Sequence, residues 1–512
     1  MEATADQLAA LFPSPHSPIG PVPVPKLQAG HTHQSTQTVL DLLKDNHKKW
    51  HIYFNDRGFH NHASHHLLAI YAMGANSQLL EAAYGTHVAY QRPAFPPPEA
   101  KAISAVIDDS NWKDFLGDER YYQAYVTFIS TKLIEERQDV QHIFEKYVFS
   151  KDANIVPGAG AKPPMMLSRF LAGLLHPLIH AGYGAEFSLP GLVSEGIAQA
   201  ATHTPEAIDI LPAKLFESDG LGNLTAKLAS ASISSGSKQF APHALSILGR
   251  VSKDPAFNPK ALGLPVPRDH PEQLTDLVVR VAGAELASYI EEWAQDLSGE
   301  VGPAVLKAKC EELAWLNTVV FGVGGWAGRA QSTDANKEFN ADFLLMHLVT
   351  SSLLLPSLVN TLTPSSASLL LRAYFSISII VYIARGRPLL PISAFYAGTT
   401  PTPSAPGPAP QSTANTLPPQ NSPNPWAQIV QTTLVHPNEH LCKLQRALLH
   451  FAEQYGGTAP SRFADAEALP GAQELDGTLF VRVAKLTADR LGWMREGQPS
   501  REWDFVGFYQ QI

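Results

Sequence analysis

Apolar residues recur along most of this chain at intervals of three and four, the spacing of helices that bury one face. They almost never alternate with polar residues as half-buried strands do. Tyr121, Tyr125, Phe128, Ile129, Leu133 and Ile134 set that rhythm within a helix expected over 119–147. The same reading predicts helices over 36–50 and about 61–73, with Gly58 between them and Gly74 closing the second. Residues 170–187 read as a helix with Pro177 inside it, so a kink that frees a carbonyl one turn back is expected. Several helices joined by Pro/Gly loops follow over 191–335, one of them over 274–297. Two strongly apolar helices, 342–355 and 366–384, are separated by Pro356 and Pro364. A last helix runs over 439–454, with Asn438 as its N-cap and Gly456-Gly457 as its stop. The predicted fold class is mainly α, a multi-helix globular bundle.

The segments without periodicity set the expected domain limits. Residues 1–35, rich in Pro, Ser, His and Gly, read as a flexible, disordered arm. Residues 36–396 form the helical core. Residues 397–425 are a Pro/Ser/Thr-rich linker or insertion. Residues 426–512 are expected to complete the same core and site.

Composition narrows the class. Of 512 residues, 45% are hydrophobic and only 17% charged, which fits an extensive interior. The net charge of −9 comes with scattered Lys and Arg, so a nucleic-acid surface is not expected. Two cysteines, Cys310 and Cys442, exclude a disulfide scaffold or a thiolate zinc cluster. The N-terminus is acidic where a signal peptide is basic. The longest greasy run, 373–384, lies between Arg372 and Arg385 and falls short of the roughly 20 residues of a membrane span. No membrane association and a cytoplasmic location are the expectations.

Polar chemistry concentrates in histidines set in apolar surroundings. His60, His62, His65 and His66 cluster before and within one predicted helix. His176 and His180 lie four apart in another, on one face. His347 sits in a helix apolar almost all round, and His440 and Lys443 share one turn of the last helix. Each alone reads as a core histidine bonded to a carbonyl. Histidines on four greasy helices suit a metal site, since bundles build such sites from facing helices and imidazole suits Zn, Fe, Cu and Ni. No His-Glu-x-x-His and no Glu-x-x-His occurs. The nearest two-His-one-carboxylate lookalike, His270-Pro271-Glu272, sits in a proline-flanked loop. The run 322–328, Gly-Val-Gly-Gly-Trp-Ala-Gly, lacks the dinucleotide spacing and reads as a helix-breaking loop. Arg385-Gly-Arg387 reads as ordinary helix C-terminal chemistry, with an anion site as the alternative.

Five stretches resemble the questin oxidase-like family in order: Phe59-His-Asn-His62 running into Met73-Gly-Ala75; Leu175-His-Pro-Leu-Ile-His180-Ala-Gly-Tyr-Gly; Asp342-Phe-Leu-Leu-Met-His347-Leu-Val-Thr-Ser; Tyr382-Ile-Ala-Arg-Gly-Arg-Pro388; and His440-Leu-Cys-Lys443. The resemblance spans nearly all of the chain from about residue 36. It implies an oxygenase of fungal aromatic-polyketide biosynthesis that opens a quinone ring in a Baeyer–Villiger-like cleavage, with an anthraquinone such as questin as the type substrate. It further implies a mononuclear non-haem Fe(II) bound by His62, His176, His347, His440 and a carboxylated Lys443, with O2 and a small aromatic substrate as partners. NADPH is a further cofactor described for the family. His65, His66 and His180 then become groups that fix tautomers, handle protons or position substrate, and Tyr183 an additional acid or base. Two alternatives stand beside this: a metal-free NADPH-dependent Baeyer–Villiger oxidase, and a non-catalytic helical binding protein.

Overall fold

The computed structural model describes residues 4–94, 106–158, 162–207, 210–216, 241–266, 273–333, 336–408, 413–417 and 423–509. His270-Pro271-Glu272 lies outside them. The fold is mainly α: 61% of the structure is helical, and among the described residues no strand forms, extended pairing there being limited to isolated bridges such as Tyr53 with His60.

Pro364–Ala384 is the central helix. Its 21 residues are long and apolar enough to cross a membrane, and every residue from Ser366 to Ala384 is buried inside the fold. Thr363 caps its first turn, and Pro364 sits where a helix has no N–H to lose. Its buried Ser376 and Ser378 hydroxyls donate to the carbonyls of Arg372 and Tyr374, one turn back, so its polar groups cost little inside the core. Leu274–Trp293 and Pro303–Thr318 pack on it, with the Trp293 ring stacked on Phe375 at 4.1 Å.

Four shorter helices, Ala63–Ala72, Ala172–Phe187, Phe343–Ser352 and Glu439–Tyr455, pack on one another beside this core. The last comes from beyond the proline-rich stretch, which carries no helix between Gly398 and Pro425 among the described residues.

Several expectations differ from what forms. Residues 4–32 are not a free arm: a capping box at Thr4 starts the helix Ala5–Leu11, and Leu8, Leu11, Phe12 and Val22 are buried. Asn360 clasps Val22 through both its amide donor and its carbonyl acceptor. Leu8, Leu11 and Phe12 keep the helical spacing for barely one turn, too short a run to stand out beside the prolines that follow. The helix expected over 119–147 breaks after Ile134 and resumes at Val140 behind an Asp139 cap. The glycine run 322–328 does not break the helix. It continues Pro303–Thr318 through a π-helical turn into Gly324–Ala327. Its glycines allow close packing: a Cβ on Gly325 would strike the Asn340 carbonyl and the Phe339 ring, and one on Gly324 would lie 2.9 Å from Pro388. Arg385 is no free anion site. It is buried and pairs at 2.5 Å with Asp342.

Candidate metal centre

Local capping chemistry sets the inward-facing side chains. Asp342 accepts the N–H groups of Leu344 and Leu345, so Phe343–Ser352 starts beside it. His347 then donates Nδ1–H to the Phe343 carbonyl one turn back, at 2.7 Å. Asn438 caps Glu439–Tyr455 by accepting from His440 and Leu441. That places His440 in the first turn, with Nδ1 3.1 Å from Glu439 Oε1, and Lys443 one turn further. In Ala172–Phe187 the residues Gly173, Leu174 and Leu175 are left-handed, and the Gly173 carbonyl accepts His176 Nδ1–H at 2.5 Å. His62 precedes the first turn of Ala63–Ala72. Its Nδ1 lies 3.7 Å from the same Glu439 oxygen.

With their Nδ1 atoms engaged on carbonyls or a carboxylate, these imidazoles turn Nε2 toward one another. Ligand atoms of His62, His176 and His440 lie within 4.8 Å of one another. His347 completes the ring, its centroid 5.0 Å from that of His176 and 5.2 Å from that of His440. The tautomers follow from the partners: a nitrogen that donates to a carbonyl or carboxylate carries the proton and leaves the other with a lone pair. His176, His347 and His440 therefore present lone pairs at Nε2. Those of His347 and His440 are buried with no partner, and so is Lys443 Nζ. His62 Nε2 and His176 Nε2 are 2.8 Å apart. Unpartnered lone pairs converging in a dry site are costly unless a cation takes them. The donor set thus fits a divalent metal, and the outer Nδ1 contacts are the kind that orient histidine ligands.

The electrostatics agree. Burial, together with the charges of neighbours including Lys443, pushes His62, His176 and His347 well below the ordinary imidazole value, so each stays neutral. His440 is lowered by burial and Lys443, and Glu439 partly offsets this. Burial would raise Glu439, but His440, Lys443 and His87 outweigh it and hold it ionised. Burial lowers Lys443 to about 8.

The other expected residues divide. His65 stacks on Tyr183 at 5.4 Å and edges against His62 at 5.8 Å. His180 faces away from the four: its Nδ1 meets His65 Nε2 at 3.0 Å and its Nε2 meets Glu195 Oε2 at 2.5 Å. His66 pairs with His87 at 3.0 Å, and His87 with the Tyr90 hydroxyl at 2.7 Å, on a separate side of the helix. Tyr183 is buried and raised by burial, with Arg446 working against it.

Sequence reasoning singles out neither Glu439 nor Glu195, and it shows His60 only as one of a cluster. Glu439 looks like an ordinary acid in a first helical turn. Glu195 is a lone carboxylate in an apolar segment, a signal that was there to be used. His60 stacks flat on His176 at 4.0 Å while its Nε2 meets His203 Nε2 at 2.7 Å, a placement only the tertiary fold creates.

The chain is similar over 461 residues to a Baeyer-Villiger oxidase, ptaJ, of Pestalotiopsis fici, at 26% identity across 89% of this chain and 88% of that protein. It is similar to the oxidoreductase AflY of Aspergillus parasiticus at 23% identity, covering 93% and 84% of the two chains. A stretch of 179 residues is 34% identical to the Baeyer-Villiger monooxygenase AacuH of Aspergillus aculeatus, covering 35% of each. The sequence profile of the questin oxidase-like proteins matches residues 59–448, a span that holds all four converging histidines and Lys443. The chain belongs to the questin oxidase-like family.

Proposed function

We propose that this protein is an oxidoreductase that oxidatively cleaves a ring of an aromatic polyketide, anthraquinone-like and of the questin type, at a mononuclear non-haem Fe(II). The metal would be held by His62, His176, His347, His440 and the carbamate of Lys443. Family membership and relatives named as oxidases and monooxygenases support the reaction class. One observation carries the site: buried Nε2 lone pairs on His347 and His440 face no partner, and neither does Lys443 Nζ, whose charge acts on all four imidazoles.

Fe(II), when bound, supplies the capacity to activate O2. The chain's own residues hold and tune it. Gly173 and Phe343 carbonyls and the Glu439 carboxylate fix three imidazoles in the tautomer that donates through Nε2. Lys443, lowered to about 8, is ~10% neutral at pH 7, against ~0.04% for an ordinary lysine. The neutral amine is the form that adds CO2, releasing one proton and leaving an anionic oxygen donor among the neutral nitrogens. The aromatic substrate and O2 are the partners. NADPH, in this proposal, acts without a dinucleotide loop, since the glycine run 322–328 is helical and packed.

Anaerobic reconstitution is expected to load about one equivalent of iron. Uptake below about a tenth of an equivalent overturns the iron reading and favours a metal-free oxidase or a binding protein. Lys443→Ala should lose activity and regain part of it with added short carboxylates. Full activity in that variant without any supplement rejects the carbamate.

A further inference from the structure

Behind the converging histidines lies a buried chain of side chains from four helices. Glu195, on Pro190–Thr202, receives His180 Nε2–H on one oxygen and His47 Nδ1–H on the other, each at 2.5 Å. Burial would raise its carboxyl, but these two bonds hold it well below its ordinary value, so it accepts and does not donate. A neutral His180 then carries its one proton on Nε2 and offers a lone pair at Nδ1. Only His65 Nε2–H can meet that lone pair, at 3.0 Å. The last position in the sequence of forced choices is His65 Nδ1. It is an acceptor, it is buried, and it has no partner, among the rings of His62, His176 and Tyr183.

We infer that Glu195 is a positioning residue: through His180 it fixes the tautomer of His65 so that Nδ1 stands as a hydrogen-bond acceptor beside the metal ligands, for a hydroxyl group of a phenolic substrate. This rests on the ring-cleaving function proposed above and adds the feature of the substrate that the site reads. A carboxylate is required because it accepts from two imidazoles at once. An amide offers one acceptor and one donor, so one of His47 and His180 would have to present a lone pair to it. The metal ligands are anchored elsewhere, on Gly173, Phe343 and Glu439, so Glu195 can change without loosening them.

The test uses the full-length chain, labelled with 15N at histidine and loaded with diamagnetic Zn(II). In the wild-type protein both His180 and His65 are expected to carry the proton on Nε2. A proton on Nδ1 of either overturns the inference. In Glu195→Gln, at least one of His47 and His180 should change its protonated nitrogen. Where His180 is the ring that changes, binding of 1,8-dihydroxyanthraquinone to the same zinc-loaded chain should weaken by about tenfold or more with zinc content unchanged, and Glu195→Asp should recover it to within about threefold. A glutamine variant in which His180 has changed its protonated nitrogen and which still binds the probe as tightly as wild type also overturns the inference. If that variant does not fold, the wild-type nitrogen pattern and the aspartate variant decide. The nitrogen pattern is read without turnover. A chain that shows it and binds the probe, yet cleaves no ring, therefore counts against the proposed function alone.

Discussion

Acid should unfold the metal-free protein far above the range where carboxylates titrate, because so many of its histidines are buried as neutral bases. Consider only five that are not among the proposed metal ligands. Burial and then Arg92 push His51 to about 3; burial and then His87 push His66 to about 3; burial and then Arg446 push His450 to about 3. Burial lowers His87 to about 4, with Glu439 opposing, and burial with Arg169 lowers His203 to about 4. In the unfolded chain each titrates near 6.5. The folded value is the lower one, so the unfolded state binds more protons and stability falls as pH falls below about 6.5. From about pH 7.5 to about pH 5.5 each histidine removes ~1.4 kcal/mol, and five remove ~7 kcal/mol. That is comparable to the whole stability of a typical protein, ~5–15 kcal/mol. Urea unfolding followed by far-UV circular dichroism at these two pH values measures the difference. A loss smaller than about 1 kcal/mol would falsify the premise that these rings are buried and neutral.

His347→Ala is expected to keep its helical circular dichroism while retaining less than about a tenth of an equivalent of metal; a variant that loads fully removes His347 from the site. Glu439→Gln weakens the outer support of His440 and His62, so metal affinity in a chelator competition should drop ~10–100-fold, and an unchanged affinity would show that the carboxylate orients neither ring. Gly325→Ala forces a methyl against the Asn340 carbonyl and to 2.7 Å from Phe339 Cε2. It should cost ~1–3 kcal/mol in chemical denaturation, whereas a neutral substitution there would mean the glycine run is loosely packed.

Much of this fold is legible because helices leave a period in the sequence. The Asn438 cap and the end of its helix before Gly456-Gly457 can be read from residue types, and both form. The four histidines and Lys443 are recognisable as odd residues in apolar helices, but their convergence is not, because it depends on how helices far apart in the chain pack. The N-terminal segment escaped for the opposite reason. Leu8, Leu11 and Phe12 keep the helical spacing for barely one turn before the prolines that follow, and the Phe12 ring fits against Gly191 and His47, neither visible from the segment itself. The glycine run misled because glycine permits turns and close helix packing alike, and only the neighbours Asn340, Phe339 and Pro388 reveal which is in use. His62 and His66 look like a matched pair four apart. His62 sits ahead of the helix at φ −98° and ψ 3°, and so turns away from the face that His66 shares with His87.

The division of labour between His176 and His180 shows how a single proline reaches the chemistry. Pro177 has no N–H, so it cannot bond the carbonyl four residues back, which is that of Gly173. Residues 173–175 turn left-handed there, with φ of 56°, 55° and 66°, and the helix proceeds from His176 onward. The Gly173 carbonyl, without its usual partner, accepts His176 Nδ1–H instead. A Cβ at Gly173 would lie 2.5 Å from the His203 ring and 3.2 Å from His60, so only glycine lets those rings close over the turn. His180 lies one turn further along, past the left-handed residues, where the backbone is helical. Its nitrogens turn to side chains, Glu195 and His65. Two histidines on one helical face thus acquire different tautomers. The proline-freed carbonyl accepts from His176 and so keeps its proton on Nδ1, leaving Nε2 for a metal, while Glu195 accepts from His180 and keeps its proton on Nε2, leaving Nδ1 for His65. Replacing Pro177 with alanine would return the Gly173 carbonyl to the backbone. His176 would lose the bond that sets its tautomer, and metal loading should fall while the Glu195–His180–His65 chain persists.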